Sequence, residues 1–157
     1  MEKDLETRIK ILEDIEAIKQ EKSRYVYCLD VRDWDGVLEH YTEDAKVDFG
    51  DLGQYEGSEE MVKYFKEDFP PLISFTIHMT QDPIIEVNGD TAKGRWYMHE
   101  SLTFAATNRA SWGAARYDDE LVRVNGKWKV RRCNITIFYL SPFDEGWVKN
   151  RMYLGEE

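Results

Sequence analysis

Apolar side chains recur every three or four positions over the first thirty residues, which is the spacing of an amphipathic helix. The pattern starts at Leu5 and predicts a helix that runs to about Leu29. A second short helix is expected over residues 34–41, followed by a brief strand over residues 47–49 and a turn over residues 50–53. The first part of the chain is therefore predicted to be mostly helical.

A third helix is predicted to start at the sequence Gly57-Ser58-Glu59-Glu60. A serine can cap a helix by accepting a hydrogen bond from a free backbone N–H, and acidic side chains favour the first turn. We expect this helix to end before Pro70-Pro71, because proline lacks the N–H that a helix interior requires.

The second half of the chain is rich in β-branched and aromatic residues between turn signals. Asn-Gly pairs at residues 88–89 and 125–126 predict tight hairpin turns. The chain thus predicts a single α+β domain, residues 1–157, whose helices cover one face of a curved antiparallel sheet. Its core is expected over about residues 8–143, and a tail over residues 144–157 is expected to pack on a neighbour or fray. The expected strands are residues 73–80, 83–88, 91–105, 113–124 and 127–140.

The charge balance argues against two classes of partner. The chain carries 21 lysine and arginine residues against 31 aspartate and glutamate residues, a formal net charge of −10. This charge repels phosphate backbones and anionic lipids, so neither nucleic acid nor a membrane is expected as a partner.

The start Met1-Glu2-Lys3-Asp4 does not resemble a secretory leader, and we expect a cytoplasmic protein. Cys28 and Cys133 have no metal-type spacing and are expected to be buried free thiols.

Period-two alternation divides the predicted strand after residue 90 into two faces. Glu100 falls on the apolar face with Trp96 and Met98, whereas Tyr97 and His99 fall on the polar face. An ionised carboxylate on an apolar face is costly unless it is paired or next to a cavity. Glu100 is therefore either a cavity acid, a partner of an arginine, or turned outward by a bulge.

Three further residues have side chains suited to acid and base chemistry. His78 lies on a predicted strand, and its imidazole is either structural or a general base. Asp30 stands at the end of the long helix, where a carboxylate either ends the helix or orients a histidine. Tyr25, one turn earlier, can polarise a carbonyl through its phenol.

The order of these and other motifs resembles the SnoaL-like branch of the nuclear transport factor 2-like superfamily, closest to the scytalone dehydratase and bile-acid 7α-dehydratase group. The similarity covers roughly residues 11–143. The segments that carry it are residues 14–19, Tyr25 to Asp30, Trp34, residues 41–45, Phe49-Gly50, Tyr55-Glu56-Gly57, His78-Met79, Gly94-Arg95-Trp96-Tyr97 and residues 117–128.

The resemblance implies a cone-shaped, cystatin-like fold in which a bent sheet and the N-terminal helices close a pocket. It also implies cofactor-independent elimination of water, syn or anti. His78 would take a proton next to a carbonyl, Asp30 would hold its imidazole, Tyr25 would polarise the oxygen and Glu100 would serve the leaving group. Phe49, Trp96, Met98 and Tyr139 are expected to contact the substrate.

Two departures from the bile-acid enzyme indicate a different substrate. Glu100 stands where that enzyme is expected to have a shorter aspartate, and Ile137 stands where it is expected to have an arginine. Arg132 is predicted to point to the other face.

Several functions remain open at this point. The leading prediction is dehydration of a β-hydroxy carbonyl compound with a steroid-, terpenoid- or polyketide-like skeleton. A double-bond isomerase would use the same groups, and this fold also serves non-catalytic binding proteins. Epoxide hydrolysis and halide elimination rank lower. The resemblance further implies a homodimer or homotrimer formed through the outer face of the sheet, to which Tyr97 and His99 would contribute.

Overall fold

The first helix begins and ends close to its predicted limits. In this computed structural model, which describes residues 4–156, helix α1 spans Leu5–Val31. The Asp4 carboxylate caps it by accepting a hydrogen bond from the Thr7 N–H, and Arg32 ends it in the left-handed conformation. Residues 1–3, on which the expectation about a leader partly rests, lie outside the described residues. No helix within residues 4–156 combines the length and apolar character needed to cross a membrane.

The segment after α1 forms more strand than predicted. Helix α2 covers only Trp34–Glu39, and strand β1 (Tyr41–Asp48) follows at once. A single 3-10 turn at Gly50–Leu52 leads to the short strand β2 (Gln54–Glu56).

The third helical region begins at Gly57, as predicted, but its cap and its end differ from the prediction. Helix α3 (Gly57–Lys63) is preceded by Glu56, and the Glu60 carboxylate rather than Ser58 accepts the Glu56 N–H. A π-helical turn at Tyr64–Asp68 continues into helix α4 (Phe69–Leu72). Pro70-Pro71 lie inside α4 because they occupy its first turn, where the missing N–H groups would have had no partner.

Four long strands form most of the sheet. These are β3 (Ile73–Asn88), β4 (Thr91–Phe104), β5 (Arg109–Val124) and β6 (Lys127–Pro142). The strand order is β2-β1-β6-β5-β4-β3. The α+β fold is confirmed, but the sheet is mixed, because β1 pairs with β6 in parallel while the other pairs are antiparallel. A parallel pair is possible here because β1 and β6 are far apart in the chain and are not joined by a hairpin.

One predicted turn is confirmed, and one predicted break between strands is wrong. Asn125 and Gly126 both have positive φ angles, 49° and 79°, as the predicted tight hairpin requires. The two strands expected over residues 73–88 are one strand instead, in which a bulge between Gln81 and Ile84 bends the chain without ending the pairing.

The core lies between α1 and the concave face of the sheet. On β4 the predicted alternation is confirmed, with Trp96, Met98 and Leu102 buried and Tyr97 half exposed. The C-terminal segment, which was expected to pack on a neighbour or fray, packs on its own chain. After helix α5 (Gly146–Lys149), the Tyr153 ring packs edge-on against Phe104, with 5.3 Å between ring centroids.

Candidate active site

A small cavity opens between the end of α1, the π-helical turn and the concave face of the sheet. Its volume is about 60 Å³, and its wall is mostly aromatic and aliphatic. His78 and Glu100 are its acid and base groups. The apolar and phenolic lining comes from Tyr25, Leu29, Phe49, Leu52, Tyr64, Phe65, Phe69, Met98, Tyr117, Ile135 and Ile137.

Asp30 accepts hydrogen bonds from both the backbone N–H and the imidazole ring of His78. The Asp30 carboxylate accepts the His78 backbone N–H at 3.1 and 3.2 Å, and its Oδ1 lies 2.7 Å from Nδ1 of the imidazole. An ionised carboxylate can only accept hydrogen bonds, so Nδ1 carries the hydrogen. In the neutral imidazole the free acceptor is therefore Nε2, which lies 3.6 Å from Glu100 Oε2.

Glu100 lies directly opposite His78 in the β3–β4 pairing. Its Oε2 is 3.6 Å from His78 Nε2, and its side chain is only 13% exposed. Burial raises the pKa of Glu100, and the neighbouring His78 only partly opposes this. Of the three arrangements that the sequence left open, the structure has the inward-facing acid beside a cavity.

Tyr25 contributes a phenol to the cavity wall. Its hydroxyl accepts a hydrogen bond from the Tyr41 hydroxyl at 2.9 Å, and its ring stacks on His40 with 4.3 Å between centroids. Burial raises the pKa of Tyr25 well above its ordinary value, so the phenol stays neutral and keeps its hydrogen.

The expected substrate contacts divide into two groups. Phe49 and Met98 line the cavity, whereas Trp96 is buried in the core and Tyr139 lies outside. Tyr139 is displaced because β6 has an extra residue opposite β5: Ala115 pairs with Ile137, but Ala114 pairs with Tyr139. The Tyr139 ring therefore packs on Trp147, with 4.9 Å between centroids.

A buried ion pair, which the sequence analysis did not find, lies behind the cavity. Lys22 Nζ is 2.8 Å from Asp119 Oδ2, and both side chains are at most 2% exposed. The same Nζ lies 3.5 Å from the centroid of the Tyr117 ring. Lys22 could have been suspected from the helical spacing, because it falls between Ile18 and Tyr25 on the buried face of α1.

Comparisons with known proteins agree with this architecture. A nuclear transport factor 2-like superfamily protein from Salmonella enterica has a similar fold, with a TM-score of 0.72 at 15% identity over 83% of this chain and 95% of the other. A family model for the SnoaL-like domain matches residues 10–134, and the chain belongs to that family.

Its relatives are distant. An uncharacterised protein of Mycobacterium tuberculosis is 27% identical over 109 residues, which are 69% of this chain and 74% of that protein. A type 2 hexachlorocyclohexane dehydrochlorinase superposes with a TM-score of 0.81 at 23% identity, over 87% of this chain and 93% of the other. A scytalone dehydratase-like protein from Novosphingobium aromaticivorans gives 0.77 at 20% identity, over 84% and 89%. At these identities the two structures establish the fold alone.

Proposed function

We propose that this protein is a cofactor-independent lyase that removes water from a small β-hydroxy carbonyl compound. The observation that carries the proposal is the pair formed by His78 Nε2 and the Glu100 carboxyl group, 3.6 Å apart in an apolar cavity. One group is suited to take a proton and the other to give one, so the pair provides both halves of an elimination.

The first half is removal of the proton next to the carbonyl. His78 Nε2 accepts this proton, and the Asp30 carboxylate at Nδ1 stabilises the imidazolium that results. The Tyr25 hydroxyl keeps its hydrogen and donates a hydrogen bond to the carbonyl oxygen, where negative charge develops. Asp30 acts through His78 and is therefore a positioning residue.

The second half is departure of the hydroxyl group. Glu100, whose pKa burial raises, gives its proton to the hydroxyl oxygen as the C–O bond breaks, and water leaves. His78 is then positively charged and Glu100 negatively charged. The proton on Nε2 passes to the Glu100 carboxylate, which restores both groups and balances the reaction without a cofactor.

The placement of the two groups favours syn elimination. His78 and Glu100 are neighbours on adjacent strands of the same sheet face, so both approach a bound substrate from one side. An anti elimination requires the base and the acid on opposite sides of the substrate, which a separation of 3.6 Å does not allow.

Glu100 also favours dehydration over the alternatives. One similar fold is that of a dehydrochlorinase, but chloride departs without a proton, whereas hydroxide is a poor leaving group that needs one. A double-bond isomerase would need His78 but not an acid at the leaving group.

The volume of the cavity, about 60 Å³, is far below the roughly 300–1,000 Å³ of ordinary ligand pockets. It favours a monocyclic substrate over steroid-, terpenoid- or polyketide-sized skeletons.

Two small ketones test this function and separate it from isomerisation. Loss of water from 3-hydroxycyclohexanone and a double-bond shift in 3-cyclohexenone both give 2-cyclohexenone, whose conjugated carbonyl is followed by ultraviolet absorbance. We expect turnover of the hydroxyketone by the wild type and at least a 100-fold loss in His78→Gln and Glu100→Gln. His99→Gln is the matched control, because His99 is exposed on the other face of the sheet. Turnover of 3-cyclohexenone alone would support the isomerase, and turnover of neither would favour a binding protein.

We also propose that a second copy of the chain covers the outer face of the sheet. Phe75, Ile77, Met79 and Tyr97 are 42–55% exposed on adjacent strands β3 and β4. Apolar side chains grouped on one face indicate a contact surface. Light scattering of the wild type and of Met79→Glu tests it: we expect an oligomer that the added charge dissociates, and a monomeric wild type would disprove it.

A further inference from the structure

We infer that the cavity selects electrically neutral substrates and rejects those that carry a carboxylate or phosphate group near the reacting carbons. The inference rests on the site of the proposed function but concerns binding, which can be measured without turnover. It narrows the substrate class from β-hydroxy carbonyl compounds in general to neutral ketones, aldehydes and esters.

Among residues 4–156, those that line the cavity include no lysine or arginine. Its two acid and base groups are His78 and Glu100, and Asp30 lies directly behind the imidazole. An anion entering this space would meet the Glu100 carboxyl group and an imidazole whose Nδ1 is already bound to the Asp30 carboxylate.

The nearest buried cation cannot serve an anionic substrate. Lys22 Nζ is bound to Asp119 at 2.8 Å and is covered by the Tyr117 ring, and its side chain is 2% exposed. Arg24 on α1 is paired with Glu21, and Arg116 on β5 is paired with Asp118. These cations therefore neutralise the protein's own carboxylates.

An anion in this apolar cavity loses its hydration and gains no cationic partner in return. A neutral carbonyl loses much less hydration and can accept the hydrogen of Tyr25. The same cavity should therefore discriminate between two molecules of equal shape that differ only in charge.

Acetophenone and benzoate are such a pair, because a methyl ketone and a carboxylate are nearly equal in shape. Binding to the wild type is measured at pH 8 by titration with observation of protein methyl and ring signals in NMR spectra. We expect acetophenone to bind at least tenfold more tightly than benzoate. Equal or tighter binding of benzoate, or binding of neither at millimolar concentration, would overturn the inference.

A second variant adds the cation that the cavity lacks. Ile137 lines the cavity on β6, and Ile137→Arg is expected to improve benzoate binding at least tenfold over the wild type. Thr136→Arg is the control, since it adds the same charge at the neighbouring exposed position. A folded Ile137→Arg protein, checked by circular dichroism, that binds benzoate no better than the control would contradict the inference. If selectivity is found but no enone forms from 3-hydroxycyclohexanone, the proposed function fails while the inference stands.

Discussion

The Tyr41 hydroxyl donates a hydrogen bond to the Tyr25 hydroxyl at 2.9 Å, behind the cavity wall. Because Tyr25 accepts this bond, its own hydrogen is available to the cavity. A hydroxyl that accepts a hydrogen bond also becomes a better donor. Tyr41, which does not line the cavity, is therefore a positioning residue for the carbonyl-binding phenol.

Tyr41→Phe is expected to lower kcat for 3-hydroxycyclohexanone about three- to tenfold and to leave KM nearly unchanged, because the lost bond supports charge that develops during the reaction. The cost in unfolding free energy should be about 1 kcal/mol, as for other hydrogen bonds. Tyr27→Phe, at an exposed position on the same helix as Tyr25, is the control. A rise in KM with constant kcat would show that Tyr41 only shapes the binding site.

Asp30→Asn tests the contact that fixes the imidazole. The amide can donate to Nδ1 and thereby favour the wrong tautomer, so we expect kcat to fall about 10²- to 10⁴-fold. In proton NMR spectra, the wild type should show a downfield Nδ1–H signal that His78→Gln and Asp30→Asn both lack. Glu39→Gln, an exposed carboxyl replacement, should keep the signal and the activity. A downfield signal that persists in Asp30→Asn would refute the contact.

Glu100 predicts a pH dependence of both stability and activity. Its folded-state pKa is raised above the unfolded value near 4.5, so between these two pKa values the folded protein binds more protons than the unfolded chain. The contribution of Glu100 to the unfolding free energy is thus greatest below pH 4.5 and declines as the pH rises through the folded-state pKa. Glu100→Gln should remove this decline, which urea unfolding at several pH values measures.

Glu100 should also determine how the activity depends on pH. Since the protonated form of Glu100 gives its proton to the leaving hydroxyl, kcat should fall as the pH rises through the raised pKa. A chloride leaving group needs no such proton, so a β-chloroketone should lack this limb of the profile. An identical limb for both leaving groups would remove Glu100 from the acid role.

The sequence predicted those parts of the site that depend on local periodicity. Alternation on β4 located Glu100 on the concave face, and helical spacing with the family resemblance led to Tyr25 and Asp30. The error at Tyr139 has a physical reason, because one extra residue in β6 reverses the alternation beyond Ile137 and leaves no trace in composition. The parallel β1–β6 pair and the π-helical turn also depend on distant contacts that no local pattern contains.

The buried pair Lys22–Asp119 gives the last prediction, on stability. Removing the lysine alone leaves a carboxylate in the core without its partner, so Lys22→Met should lower the unfolding free energy by about 3–5 kcal/mol. Replacing both members, in Lys22→Met with Asp119→Leu, should recover part of that loss because no buried charge remains. Lys19→Met, at an exposed position of α1, should change the unfolding free energy by less than about 0.5 kcal/mol. Urea unfolding of the wild type, Lys22→Met, Asp119→Leu and the double variant closes the cycle, and Lys19→Met is measured beside them as the control. Equal losses in the single Lys22 variant and the double variant would mean that Asp119 is not held as an anion by Lys22.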